Sequence, residues 1–452
     1  MKIIIAGAGK VGAMLAGQLS AEGYELTLID TNKQVLDGII EKYDVLAVNG
    51  NCATAGALRQ AGVEDARLLI TTAGADEVNL LCCMTAHTIN PKIHTIARIR
   101  NPEYSEHIYN MRDMFALSMA VNPERQAATE IERLLEYPGF LKREAFAKDR
   151  VEIVELKISE TSKLNGVSLS DLNSIVKCRV LVCVVLRDGA AIMPDGSFVI
   201  MAGDRIFVTA PTNELATLLK NLGIITRKVG RVILAGGGMV SFYLAQRLIK
   251  SGVNVKIIEK DYSRCVTLAE QLPAADVVCG DASNQEFLES EGVSKCDAVV
   301  SLTGLDEMNI VISLYATERG MPHVVTKLAH LENTGLLERL PIGSIVSPKE
   351  LCCNVIVRYV RAMRNKSGAA VSVHSIAAGQ AEAAEFRVDE KTKHCGVPLR
   401  DLRLRKNVLI VGISRRGVTV IPNGDSSFNR GDTVVVVSGS ETVLLSLNDI
   451  FE

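Results

Sequence analysis

The sequence predicts an α/β chain: two doubly wound, parallel-sheet domains of Rossmann type, each followed by a small, β-rich α+β domain. Three observations carry this. Large blocks of the chain recur at a nearly constant offset. A glycine-rich turn directly follows an apolar strand in each copy. Runs of β-branched residues, broken by Asp-Gly and Asn-Gly turns, close each half.

The repeat is explicit in the residues. Gly7-Ala8-Gly9-Lys10-Val11-Gly12 returns as Gly236-Gly237-Gly238-Met239-Val240-Ser241, 229 positions later. Leu28-Ile29-Asp30 returns as Ile257-Ile258-Glu259, and Arg98 falls opposite Lys327, at the same offset. Gly74-Ala75-Asp76-Glu77-Val78-Asn79 matches Gly304-Leu305-Asp306-Glu307-Met308-Asn309, 230 positions on. Asp171-Leu172 pairs with Asp401-Leu402, and Gly203-Asp204 with Gly431-Asp432. The order is large, small, large, small, with domains expected at 1–148, 149–227, 228–370 and 371–452. Lys366-Ser367-Gly368-Ala369-Ala370 reads as a linker and Arg227-Lys228-Val229-Gly230 as a shorter one.

Within the first large domain, short apolar runs at 2–6, 25–30, 44–48, 67–72 and 93–98 read as parallel strands covered on both faces. Stretches such as Val11 to Ser20 and Asn79 to His87 read as the helices between them. The small domains show strand-like runs at 180–182, 205–209, 408–411 and 433–437. Helical connectors open at Asn122-Pro123-Glu124 and Ser347-Pro348-Lys349, where proline is tolerated because the first N–H groups of a helix are unpaired anyway.

Composition narrows the function. The chain has 452 residues, enough for three or four domains at roughly 150 residues each. Lys+Arg number 50 against Asp+Glu 52, a balance that speaks against a nucleic-acid partner. No apolar run approaches the roughly 18 residues of a membrane span, and no signal-peptide layout is seen, so a cytoplasmic protein is expected. The 11 cysteines include no C-x-x-C and read as small buried apolar groups in a reducing compartment.

A lone G-x-G-x-x-G is weak evidence, but here it follows a strand, opens a helix and is answered by Asp30 after the second strand. Gly7 permits the tight turn, Gly9 lets a pyrophosphate approach, and Gly12 lets the helix pack on the sheet. Asp30 can accept from a ribose diol and would repel a 2′-phosphate, although a solvated loop acid is the plain alternative. The first nucleotide site is therefore expected at Gly7, Ala8, Gly9, Lys10, Val11, Gly12, Asp30, Asn51, Cys52, Thr71, Thr72, Ala73, Asn79 and Arg98. A turn residue is the plain alternative for Asn51, and half of a surface ion pair is the alternative for Arg98. The second site is expected at Gly236, Gly237, Gly238, Met239, Val240, Glu259, Asp281, Ala282, Leu302, Thr303 and Lys327. It is altered: Ser241 replaces the third glycine, Glu259 lengthens the ribose acid, and Lys327 replaces Arg98 with a point charge.

These residues resemble the family of domains that regulate potassium conductance. The tandem arrangement is similar to the peripheral regulatory subunits of bacterial Trk potassium-uptake systems. The resemblance spans essentially the whole chain and rests on the repeat, the Gly7-x-Gly9-x-x-Gly12 loop with Asp30, and the positions of Asn79 and Arg98. It implies NAD(H) at the first site and ATP or ADP at either. It implies a homo-oligomer, a tetramer by analogy, docked on the cytoplasmic face of the cell membrane under a potassium-translocating subunit of the Trk type. Asn51, where many relatives carry Asp, and Ser241 depart from the pattern.

Arg358, Arg361 and Arg364 share one face of the second connector, either as a solvated row or as a surface for an acidic partner or lipid head groups. Val355, Val357 and Val360 beside them suit packing. An NAD-dependent dehydrogenase is the competing reading, which needs an acid–base group beside the nicotinamide. Histidines 87, 94, 107, 323, 330, 374 and 394 occupy no recognisable catalytic setting, so neither a catalytic nor a metal site is expected.

Overall fold

The computed structural model describes residues 1–108, 112–136, 139–147, 150–222, 229–329, 337, 340–364, 370–439, 441, 442, 444 and 446–452. The expected boundaries at 148 and 228, the linker residues 366–369 and His330 lie outside them. The chain forms two compact units, Met1–Ala128 with Ser347–Arg364, and Thr129–Val346 with Asn365–Glu452.

The first unit is built on β1 (Lys2–Ala6), α1 (Lys10–Ala21), β2 (Glu25–Asp30), α2 (Lys33–Ile40), β3 (Leu46–Asn49), α3 (Ala55–Gln60), β4 (Leu68–Thr71), α4 (Asp76–Ile89), β5 (His94–Arg98), α5 (Pro102–His107) and β6 (Met119–Val121). The strands run parallel in the order β3-β2-β1-β4-β5-β6. Ile3, Ile4 and Ile5 are fully buried, as a strand covered on both faces requires. β6 escaped the sequence reading because three residues make too short an apolar run to register. The strand order reverses between β1 and β4, which opens a crevice at their carboxyl ends.

Helix starts separate structure from site. Asn32 caps α2, Thr54 caps α3 and Asn101 caps α5, each accepting from backbone N–H groups. α1 starts at Gly9 with no side-chain cap, so its first N–H groups are left for something else.

The connector helix α6 (Pro123–Glu136) follows β6. In the second unit come the first small domain, with β7 (Lys142–Phe146), β8 (Val151–Lys157), β9 (Val167–Ser168), α7 (Leu172–Val176), β10 (Leu181–Arg187), β11 (Ala190–Ile192), β12 (Val199–Ile200), β13 (Arg205–Pro211) and α8 (Leu215–Leu222). The second Rossmann domain holds β14 (Arg231–Ala235), α9 (Met239–Lys250), β15 (Asn254–Glu259), α10 (Tyr262–Gln271), β16 (Asp276–Cys279), α11 (Gln285–Ser290), β17 (Ala298–Ser301), α12 (Asp306–Glu318), β18 (His323–Lys327) and β19 (Ser344–Val346). Its parallel order, β16-β15-β14-β17-β18-β19, copies the first sheet. A second connector, α13 (Pro348–Arg364), leads to β20 (Ala370–Ile376), β21 (Ala381–Arg387), β22 (Val408–Arg415), β23 (Val418–Val420) and β24 (Thr433–Gly439).

The small domains are antiparallel sheets, β11-β10-β13-β8-β7 and β20-β21-β24-β22-β23. They share one core: Phe146, Val151, Ile153, Val184 and Phe207 pack with Ile376, Ala383, Val411, Val435 and Val437. His374 sits 2.6 Å from the Glu144 carboxylate across this contact and edge-on to Phe146. The Gln380 side chain accepts from the Ala191 N–H at 2.9 Å and donates to the Gly189 carbonyl at 2.6 Å. The two small domains are therefore packed together within the second unit.

The second connector does not stay with the domain that precedes it in sequence. α13 groups with the first unit, where Cys352, Cys353, Ile356, Val357 and Val360 join the core of α1, β1 and β4. Arg361 forms an ion pair with Glu22, just past the end of α1, with both side chains 18% exposed. The arginine row is thus no uniform partner surface: Arg361 is engaged within the chain, Arg358 is exposed, and the side chain of Arg364 lies outside the described residues. In the second unit, Glu132 of α6 pairs with Arg247 of α9. Because the Arg361–Glu22 pair is only part-buried, Arg361→Ala is expected to lower stability by about 0.5–1 kcal/mol, read from the denaturant midpoint.

Candidate functional site

The crevice of the first unit is one connected network. The φ of Gly7 is +103°, and a Cβ there would lie 2.7 Å from the Ala73 nitrogen, so the glycine loop and the end of β4 touch through backbone. The Thr72 hydroxyl donates to the Gly7 carbonyl at 2.8 Å. The Asp30 carboxylate accepts from the Ala8 N–H at 2.6 Å and from the Asn32 N–H at 2.8 Å. A carboxylate has about four acceptor positions, so two remain for a pair of hydroxyls. Around Gly9 a Cβ would meet nothing within 4 Å, which leaves open space directly over the uncapped start of α1.

Arg98 closes the other side. Its Nη2 donates to the Ala73 carbonyl at 2.7 Å, and its Nε is buried with no hydrogen-bond partner. Burial pushes the guanidinium below its usual range, and nearby Arg100 adds to the effect. No carboxylate forms an ion pair with it among the described residues. This is a desolvated, planar cation with a free donor, the arrangement a phosphate oxygen restores.

Not every expected residue faces the opening. Asn79 is fully buried, and both its amide hydrogens are spent, on the Ala73 carbonyl at 3.1 Å and the Arg98 carbonyl at 2.9 Å. Its oxygen accepts from the Ala73 N–H at 2.8 Å. Asn79 therefore braces the ends of β4 and β5 and supports the site from behind. Thr71 also points inward, to the Ile96 carbonyl at 3.3 Å. Cys52 is buried in the same core as Cys82. Asn51 holds its own turn, accepting from the Ala53 N–H at 3.0 Å, while remaining exposed. Val11 is buried, and its carbonyl accepts from the Cys353 thiol of α13 at 3.7 Å; Lys10 is exposed. Asn79→Ala would orphan buried backbone groups, and is expected to cost roughly 2 kcal/mol in a denaturation experiment.

The second crevice repeats this plan with different parts. Glu259 accepts from the Gly237 N–H at 2.6 Å and the Asp261 N–H at 2.8 Å, so the longer acid reaches the same kind of donors as Asp30. Ser241 is fully buried, and its hydroxyl donates to the Gly236 carbonyl. Leu302 stands where Thr72 stands in the first half. The hydroxyl that holds the first loop carbonyl has thus moved from the end of the fourth strand to the helix. Asn309 repeats the brace of Asn79, bonding the Thr303 N–H at 2.8 Å and the Lys327 carbonyl at 3.0 Å. Ala282 and Leu302 are buried walls, and Lys327 approaches the Leu302 carbonyl at 3.4 Å.

Two cations were not legible in the motif. Arg264 donates to the Gly237 carbonyl at 2.8 Å and touches the Met239 sulfur at 3.9 Å. Lys260 pairs with Asp281 at 3.1 Å, and the Ser283 hydroxyl and N–H, followed by this pair, hold the Asp281 carboxyl down to about 2. Val35 and Thr31 occupy their places in the first half. Reading the repeat for likeness hides such gains; reading it for charge differences would have exposed them. His94 and His323 open β5 and β18, at the amino ends of the strands and opposite the crevices. No group of three or more His, Cys, Asp or Glu able to hold a metal occurs among the described residues.

Comparison with known proteins places these features. A TrkA-N domain model matches residues 3–123 and 232–348, and a TrkA-C domain model matches 153–223 and 383–447. A Trk system potassium uptake protein TrkA homolog from Archaeoglobus fulgidus is 32% identical over 437 residues, covering 96% of this chain and 97% of that protein. Trk system potassium uptake protein TrkA from Vibrio alginolyticus is 31% identical, covering 100% and 99%. Among solved structures, the GsuK channel bound to NAD aligns with a TM-score of 0.60 at 18% identity, covering 97% of this chain and 77% of that one. GsuK bound to ADP aligns at 0.50 and 15%, covering 80% and 69%. At those identities the likeness concerns fold alone.

Proposed function

The chain belongs to the TrkA family of Trk-system potassium uptake proteins, with a TrkA-N and a TrkA-C domain in each half, and on that premise we propose a nucleotide-sensing regulatory subunit for a membrane potassium-translocating subunit of the Trk type. The observation that carries the reading is the pairing of the uncapped start of α1 with the buried, unpaired Nε of Arg98 around one opening. NAD(H) is the proposed ligand of the first crevice, where Asp30 has two acceptor positions left for a ribose diol. The GsuK channel is itself described as bound to NAD, and in another structure to ADP. ADP or ATP is proposed for the second crevice, where Arg264 at the glycine loop stands in place of Val35.

The route from ligand to partner runs through α13. Its Cys353 thiol bonds Val11 at the glycine loop, and its apolar face lies on α1, so a ligand that shifts α1 shifts the connector. A ligand biases such an element only as far as its affinity differs between the two positions. No helix among the described residues is long and apolar enough to cross a membrane, and a peripheral position at the cytoplasmic face is proposed on the Trk-system naming of the relatives. A homotetramer is the proposed assembly. An apolar groove of about 520 Å³ between α4 and α5, lined by Leu80, Leu81, Met84, Tyr104 and Phe115, offers a face for self-association. Leu81→Asp is expected to reduce the mass measured by light scattering, with the fold intact by circular dichroism.

Reconstitution tests the whole reading. Liposomes carrying the Trk translocating subunit should show potassium flux that changes on adding this protein, and changes again with NADH, ADP or ATP. Flux indifferent to the protein at all nucleotide concentrations would sink it.

A further inference from the structure

Most cysteines behave as buried apolar groups, but two are placed to react. Cys279 ends β16 and is exposed, and its register partner on β15 is Glu259. Cys265 lies in the first turns of α10 and is buried. The Cys265 thiol donates to the Glu259 carbonyl at 3.3 Å, and the Cys279 thiol contacts the Lys260 carbonyl at 3.8 Å. β15 and β16 pair in parallel, so both thiols stand beside the same Glu259–Lys260 turn. A pair of sulfurs therefore brackets the single turn that carries the acid of the second crevice. Cys52 and Cys82, which share one core, are both buried.

We propose that Cys265 and Cys279 form a reversible intrachain disulfide under peroxide, and that this bond is a redox input to the second crevice. The second clause rests on the nucleotide reading of that crevice; the first does not. Exposure makes Cys279 the attacking thiol, whereas burial pushes the Cys265 thiol up to about 11 and keeps it protonated until a partner is formed. The Cys279 thiolate attacks a hydrogen peroxide oxygen; an S–O bond forms, the O–O bond breaks, and hydroxide leaves to become water. The Cys265 sulfur then attacks that sulfenic sulfur; the S–S bond forms, the S–O bond breaks, and the departing hydroxide takes the Cys265 proton as water. Two thiols and one hydrogen peroxide thus give one disulfide and two waters. A small thiol reverses the reaction by exchange.

The consequence follows from the hydrogen bonds. Closing the sulfurs to about 2.0 Å pulls the end of β16 toward α10 and removes both S–H groups. The Glu259 and Lys260 carbonyls lose those contacts, and the turn that aims the Glu259 carboxylate at the Gly237 N–H is no longer held in place. Transient, regulatory disulfides are the kind a reducing compartment permits.

The test uses the full chain. After hydrogen peroxide and alkylation, non-reducing peptide mapping should find the peptides of Cys265 and Cys279 linked, with Cys52 and Cys82 unlinked, and dithiothreitol should undo the link. Cys265→Ser should leave Cys279 as a sulfenic acid captured by dimedone, with no link. Recovery of alkylated Cys265 after Cys279 has been oxidised in the wild-type chain overturns the disulfide. ADP titration in an Asp30→Ala background, which weakens the first crevice, should show roughly tenfold weaker binding after oxidation and recovery after reduction. A disulfide that leaves ADP affinity unchanged overturns the redox input. Failure of the reduced protein to bind ADP at all counts against the nucleotide reading, and the peptide map still decides the disulfide.

Discussion

Gly12→Ser is expected to destabilise the first domain by about 3 kcal/mol and to weaken NADH binding there more than roughly 100-fold. A Cβ at residue 12 would lie 1.9 Å from the Gly7 carbonyl oxygen, which the Thr72 hydroxyl holds in that place. The same substitution exists naturally in the second half, where Ser241 donates to the Gly236 carbonyl and Leu302 stands in place of Thr72. The double variant Gly12→Ser with Thr72→Leu should therefore recover part of the loss. The coupling from a double-mutant cycle is expected at about 1–3 kcal/mol, in the favourable direction. Thermal denaturation of the two singles and the double measures it; strict additivity would show that the two positions do not communicate.

Asp30→Ala is expected to weaken NADH binding at the first crevice by roughly 10- to 100-fold, the equivalent of about 1.5–3 kcal/mol for hydrogen bonds to a charged group. Two effects add. The ribose loses its acceptor, and the Ala8 N–H loses the carboxylate that fixes the loop. Asp30→Glu is the control: Glu259 shows that the longer acid reaches the corresponding N–H, so this variant should stay within a few-fold of wild type. If Glu fails as badly as Ala, loop geometry at this position matters more than charge.

Much of this was legible in the residues because it is local. Strand, glycine turn, helix and acid lie within residues 2–30, and the 229-residue offset announces the second copy. Distant packing was not. Cys353 meets Val11 across 342 positions, and Arg361 meets Glu22 across 339, so the sequence assigned α13 to its neighbours in the chain and read its arginines as a solvated row or a partner surface. Asn79 was legible as important but not as a brace, since only the fold shows both its amide hydrogens spent on backbone. Ser241 looked like a lost glycine because its compensation, Leu302, lies 61 positions away.

Calorimetric titration of the purified chain with NADH, before and after Asp30→Ala, tests the central claim most directly. Saturable NADH binding at micromolar to submillimolar concentration, weakened by the substitution and accompanied by no NADH consumption, is the predicted result. No heat up to millimolar NADH, or binding indifferent to Asp30, would contradict it.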